Sequence, residues 1–300
     1  MEPSLRGPQA PDRWQSRLTS ILILVAALVA WAAATGSARF DASAHTAEEL
    51  TLMEFNGDIV RDPSGAYVYN PEKARGFPGP LDVGRKVAEE WADPFHRNGT
   101  NDHGIGHLIL YTASRFALGF AAASLLAVVL GVLLGLSPGL YRALNPFIQV
   151  LKPISPLAWM PLLLYSVQDP RWTAVLVVFM AALWPTLANT AFGVSSIRKE
   201  YIHVSRMLEL SWTRSVLAIA VPAAAPAIVA GLRISFGSAL VAVVPAEMLL
   251  GELGVGYLTW IEWNNLDIAG VLFAILVVGV LGTLLDLTLV RLSAAVSYAE

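Results

Sequence analysis

His103 and His107 stand four residues apart, the spacing that sets two imidazoles on one side of a helical turn and could begin a zinc site. No Glu sits between them in an His-Glu-x-x-His arrangement, and Gly104 and Gly106 weaken helix there. The pair therefore reads as polar residues at a membrane boundary, and no metal is expected. Nucleotide hydrolysis needs a loop of the form G-x-x-x-x-G-K-[ST], whose amides cradle phosphates while its lysine reaches them. The lysines are Lys73, Lys86, Lys152 and Lys199, and none follows a glycine. Any ATP and magnesium thus belong to a separate chain, and this one is expected to bind no cofactor. There is no G-x-S-x-G nucleophile elbow. The absence of cysteine excludes disulfides, thiolate metal sites and iron–sulfur clusters.

What remains able to act is a set of polar residues inside apolar runs. Hydrophobic residues make up 55% of the 300 positions and charged residues 14%, with a mean hydropathy of +0.57. A soluble domain carries about 25% charged residues. Here the charges collect between apolar runs, the pattern of a multi-spanning membrane protein. The net charge of −3 argues against nucleic acid as a partner. Six runs are long enough to cross a bilayer, near 18–36, 108–136, 145–167, 171–193, 224–250 and 268–291. The first, with Arg6, Arg13 and Arg17 ahead of it and Thr35-Gly36-Ser37-Ala38 behind, also has the form of a signal peptide. A retained helix is preferred because five more runs follow.

If six spans alternate, Arg6, Arg13, Arg17, Arg142, Arg198, Lys199, Arg206, Arg214 and Arg291 fall on one side, which the Lys/Arg rule makes cytoplasmic. The chain is then organised as a cytoplasmic N-terminus and first helix (1–36), an extracytoplasmic segment (37–107), a membrane core (108–292) and a short tail (293–300). The extracytoplasmic segment holds 12 acidic residues against 7 Lys/Arg, with turn signals throughout and a short amphipathic helix at 81–91. It is expected either to cap the outer mouth or to contact an external binding protein.

Intramembrane polar residues are costly and face a cavity or a partner. The set is Arg115, Gln149, Lys152, Asn189, Arg233, Glu247 and Asp286. Arg115 either faces inward or snorkels to the outer surface. Arg233 either binds headgroups or lines a path, and Glu247 either pairs with another helix or gates an exit. Asp286 reads as structural. Lys152 precedes Pro153, Pro156 and Pro161, with Ser155 and Trp159 among them, and prolines free backbone carbonyls that only protein or water can satisfy. Lys152, Ser155, Trp159, Asn189, Arg233 and Glu247 are the candidates for a translocation path. Lys152 also has the alternative of snorkelling to the cytoplasmic surface.

Between the fourth and fifth runs lies 195–222, too polar to cross a bilayer. Ile197, Tyr201, Val204, Leu208 and Trp212 fall in one stripe of a helix capped at Ser195 or Ser196, with Lys199, His203 and Arg206 opposite. The helix is expected to end near 211–213, and Pro222 to break the ladder and set an elbow. Such a helix either lies on headgroups or inserts into a groove of a partner.

Residues 201–211, followed by Val221-Pro222-Ala223-Ala224-Ala225-Pro226, resemble the cytoplasmic loop of ABC-importer permeases, which runs Glu-Ala-Ala, three residues, Gly, and later a hydrophobic residue and Pro. Gly231-Leu232-Arg233-Ile234, Ala246-Glu247-Met248-Leu249 and Gly254-Val255-Gly256-Tyr257 continue the resemblance. His203, Val204 and Ser205 stand at the Glu-Ala-Ala positions, and Glu209 where Gly is usual. The nitrate/bicarbonate branch often lacks the triplet. It also resembles this chain at Asp93-Pro94-Phe95, at 98–106, at 151–161 and at Trp260-Ile261-Glu262-Trp263-Asn264-Asn265, the likeness extending over about 77–292.

The resemblance implies an all-α polytopic fold of the type I ABC-importer permease class, with about six transmembrane helices, in the bacterial inner membrane. It implies a permease subunit moving a small anion, nitrate or nitrite first and bicarbonate, taurine or alkanesulfonate as alternatives, by alternating access. It further implies ATP-binding subunits on the cytoplasmic side, an extracytoplasmic solute-binding protein and a second permease chain as a homodimer. The coupling residues would be Tyr201, His203, Val204, Ser205, Arg206, Leu208, Glu209, Trp212 and Pro222. The rival of another class is a secondary transporter driven by an ion gradient, which predicts inverted repeats and paired intramembrane acids, neither of which is clear.

Overall fold

The computed structural model describes residues 13–35, 42, 45–61, 65–69, 77–198, 200–201 and 207–296. The chain divides into two units, 1–89 with 267–270, and 90–266 with 271–300.

The first unit holds α1 (Arg13–Thr35), whose stretch Arg17–Thr35 is apolar and unburied along its length, as a lipid-facing helix must be. Helix α2 (Ala47–Phe55) starts at a reciprocal cap, in which the Glu49 amide donates to Thr46 Oγ1 and the Thr46 amide to Glu49 Oε2. Strands β1 (Ile59–Arg61) and β2 (Tyr67–Tyr69) pair antiparallel, Val60 opposite Val68. This hairpin is an exception to the expected all-helical chain, made by branched and aromatic residues too few for a helix to compete. Helix α3 (Pro80–Ala92) fills the expected amphipathic segment.

The second unit is built around α4 (Ile105–Leu136), α7 (Pro170–Ser195) and α8 (Val221–Leu250). Between α4 and α7 come α5 (Pro138–Leu151), a 3₁₀ turn (Pro156–Trp159) and α6 (Met160–Val167). After α8 follow α9 (Val255–Asn264) and α10 (Ile268–Val296). Helix α7 is apolar all round and sits between α4 and α8, which fits its being the most buried span. Phe116, Phe120 and Phe236 interlock at one level of this core, Phe116 and Phe236 edge to face at 4.9 Å.

Small residues set the register. A Cβ at Gly119 would strike Val178, one at Gly131 would stand 2.6 Å from Thr190 Cβ, and one at Gly135 would strike Val194. Numbers rise together on the two helices, so α4 and α7 run parallel. The chain between them must therefore return across the bundle. It does so through a pair of helices bent by 88°. The third span is thus not the continuous helix expected over 145–167. Pro153 and Pro156 remove two consecutive chances to continue the ladder, and Ser155, ahead of Pro156, is extended at φ −56°, ψ 132°. With this bent crossing counted once, five crossings belong to this unit, and α1 makes the sixth apolar helix.

The fifth span also differs from expectation. Trp212–Ser215, a π-helical turn at Val216–Ala220 and α8 form one helical run from Trp212 to Leu250. Pro222 makes no elbow. It stands in the first turn of α8, and the wider π turn ahead of it absorbs the missing N–H.

Helices α7 and α8 run antiparallel and share a repaired backbone. Pro185 interrupts the α7 ladder, and the Ser235 hydroxyl enters the gap. It accepts from the Thr186 amide at 3.0 Å and donates to the Ala182 carbonyl at 2.6 Å, the two groups that an unbroken α7 would pair directly. Thr186 Oγ1 lies 2.7 Å from the same hydroxyl.

Candidate functional site

The segment joining α7 to α8 is described in part. Ser195 and Ser196 close α7 rather than capping a new helix, and Ile197 packs beside Val132, Val194 and Ala224. Tyr201 is helical and exposed, and Met207 is also helical. His203, Val204, Ser205 and Arg206 lie outside the described residues. The chain then leaves helix at Leu208–Glu209, earlier than expected, and re-enters it at Trp212. The single apolar stripe from Ile197 to Trp212 therefore does not exist on one helix. What does exist is a run of bare apolar side chains, with Met207 83%, Leu208 63% and Trp212 62% exposed. Pro222 is exposed as well.

Glu209 explains the break. Its φ is +47°, the left-handed region, so a glycine at this position of the resembled loop has a conformational reason rather than a packing one. A side chain there costs about 1–2 kcal/mol. Because Glu209 is exposed, Glu209→Gly is expected to raise thermal stability by about 1 kcal/mol; a lowered melting temperature of the purified protein would contradict this.

Within the membrane the candidates separate. Lys152 and Ser155 are exposed at the break of the bent crossing. Trp159 is half-buried, and its indole N–H is enclosed without an acceptor among the described residues. Asn189 is half-buried on α7, its amide donating to the Pro185 carbonyl at 2.8 Å. Arg233 is exposed on α8. Glu247 is fully buried and cannot line an open path.

Glu247 instead belongs to a clasp at the opposite end from the α7–α8 segment. Arg115 Nη1 donates to Glu247 Oε1 at 2.7 Å and to the Leu253 carbonyl at 2.6 Å, and Nη2 donates to Glu252 Oε2 at 2.8 Å. Thr112 Oγ1 and the Gly256 amide complete Glu247 Oε2 at 2.8 and 3.0 Å. The Val255 amide donates back to Thr112 Oγ1 at 2.9 Å. The carboxylate thus meets a guanidinium, a hydroxyl and the first turn of α9, where a negative charge is favoured. Arg115 does not snorkel; its side chain is 7% exposed because partners on α8 and the α8–α9 loop draw it inward. Thr112 and Glu252 were not legible as members. Their only sequence signal is Thr112 lying one turn before Arg115, on the same face.

Beside the clasp is a cleft of about 530 Å³ lined by Asn101, His103, Arg115, Arg171, Trp172 and Glu252 among others. The His103 and His107 rings lie 5.8 Å apart, with Tyr111 stacked on His107. Nearby, the Asp93 carbonyl at 2.7 Å and the Asp102 carboxylate at 3.1 Å hold the His96 imidazole above its ordinary pKa, the backbone contact contributing most.

Residues 105–298 match the model of the family described as binding-protein-dependent transport system inner membrane component. The chain belongs to this family. The permease is therefore a multi-pass inner-membrane protein, and the family assignment removes the gradient-driven secondary transporter from consideration. Among curated proteins, it is 39% identical over 224 residues to the nitrate import permease protein NrtB of Synechocystis sp., covering 75% of this chain and 82% of that protein. It is 33% identical over 222 residues to the bicarbonate transport system permease protein CmpB of Synechococcus elongatus, covering 73% and 80%. Among solved structures, the inward-facing MetNI methionine ABC transporter aligns with a TM-score of 0.54 at 17% identity, covering 64% of this chain and 95% of that one. The fold is that of a type I ABC-importer permease.

Proposed function

We propose that the permease carries nitrate or nitrite inward as one of two identical membrane subunits, with the path between the copies. A solute-binding protein delivers the anion to the outer mouth. ATP-hydrolysing subunits, which hold the ATP and magnesium, grip the α7–α8 segment through Tyr201, Leu208, Glu209, Trp212 and Pro222, with His203, Val204, Ser205 and Arg206 between them. Lys152, Ser155, Trp159, Asn189 and Arg233 are the side chains offered to the path. Closure of the nucleotide subunits pulls the segment and turns the path outward; hydrolysis resets it.

The reading rests on one observation: relatives named for nitrate import are 38–39% identical, whereas those named for bicarbonate transport are 33–36% identical. Uptake in proteoliposomes carrying the whole assembly tests it. Labelled nitrate is expected to enter only with ATP inside, to be stopped by vanadate, and to resist excess bicarbonate outside. Uptake of bicarbonate with no uptake of nitrate or nitrite would overturn the substrate.

A further inference from the structure

Arg233 has a place in the bundle that no hydrogen bond or ion pair among the described residues accounts for. Its neighbours on α8 fix its depth. Gly231 faces Pro185, Thr186 and Asn189, and Ser235 bonds Thr186 and Ala182. The Arg233 backbone is therefore level with the region of Thr186 on α7. At 1.5 Å per residue that is about 14 Å from Ser195 at one end of α7 and about 24 Å from Pro170 at the other. A hydrocarbon core of about 30 Å centred on such a helix includes this level.

Of the Lys and Arg residues in α4, α7 and α8, Arg171 stands in the first turn of α7, while Arg115 and Arg233 lie further in and are treated differently. Arg115 is enclosed and spends its donors on two carboxylates and a carbonyl. Arg233 is exposed, and no hydrogen bond or ion pair engages it among the described residues. One turn to either side Ala230 and Gly237 are small and exposed, nothing lies within 4 Å of a Cβ placed at Gly237, and the exposed Ile234 and Val241 adjoin them. The exposed faces of other helices carry large apolar side chains. Helix α4 shows Leu118, Leu125 and Val129, and α10 shows Ile275, Val280 and Leu284. A bare guanidinium at this depth is unfavourable against lipid and favourable against a wet path carrying an anion.

We infer that Arg233 is the countercharge for the transported anion on the inner half of the path, its planar fork matched to two oxygens of a trigonal oxyanion. This rests on the anion-import reading above and adds the residue that recognises the cargo inside the membrane. The guanidinium presents two parallel N–H groups, and nitrate, nitrite or bicarbonate presents two coplanar oxygens to meet them. A lysine would keep the charge and lose the fork. The one exposed acid of the described spanning helices, Asp286 on α10, offers the rival explanation, an ion pair between copies.

The whole assembly in proteoliposomes distinguishes these. Arg233→Gln is expected to lower nitrate uptake by about 10- to 100-fold while leaving assembly of the complex as in the wild type. Arg233→Lys is expected to keep part of the uptake and to lose preference for trigonal oxyanions over chloride. Unchanged uptake and anion preference in Arg233→Gln would overturn the inference and leave the nitrate reading standing. So would recovery of Arg233→Asp by Asp286→Arg, which would reveal a structural pair. Wild-type assemblies that import no trigonal oxyanion would overturn both.

Discussion

Replacing Leu208 and Trp212 together by Asp leaves the permease folded in the membrane and abolishes ATP-driven uptake. Both side chains are more than three-fifths exposed, so charging them empties no core and leaves no buried partner unpaired. Their only large effect is on a surface that covers them. A buried aromatic or aliphatic anchor in an interface is worth about 2 kcal/mol or more, and placing a carboxylate in its pocket adds a desolvation penalty. Two such changes are expected to weaken the grip of the nucleotide subunits by at least about a thousandfold. The measurements are co-purification of those subunits and uptake per ATP hydrolysed, with unfolding temperature as the control for folding. Normal uptake in the double variant would remove the segment from any coupling role.

The second large effect concerns the clasp. Arg115→Met strands Glu247, which has no exposure, and Glu252 without their cation. Breaking a buried ion pair from one side costs about 3–5 kcal/mol. Glu247→Met is expected to cost a similar amount by stranding Arg115. Arg115→Met combined with Glu247→Met should cost clearly less than the sum, because no ion is then left against an empty partner. Thermal or denaturant unfolding in detergent measures this cycle. Full additivity would mean that the two groups do not act on each other.

The sequence made the large features legible because they are written in local periodicity. Long apolar runs gave the spans, and their Lys/Arg flanks gave an expected orientation. Three features escaped because each depends on geometry that a pattern of residue types does not carry. The bend of the third span follows from where two prolines fall relative to the ends of its neighbours, which only the parallel register of α4 and α7 reveals. The helix expected from Ile197 to Trp212 fails because Glu209 adopts a conformation that its residue type disfavours. Pro222 looked like a breaker, but a wider turn upstream accommodates it. Of the path candidates, Glu247 was misplaced for a related reason. An acid near the end of an apolar run looks available until Arg115, 132 positions away, is seen to claim it.

The hydroxyl of Ser235 sits inside the main chain of α7, so two neighbouring rods are stitched at mid-height by a bond that belongs to both. Sliding either past the other would tear that stitch in a medium with no water to mend it. If the partner subunits pull on the segment joining their ends, as proposed, the two helices are expected to move together, carrying Arg233, two residues from the stitch, with them.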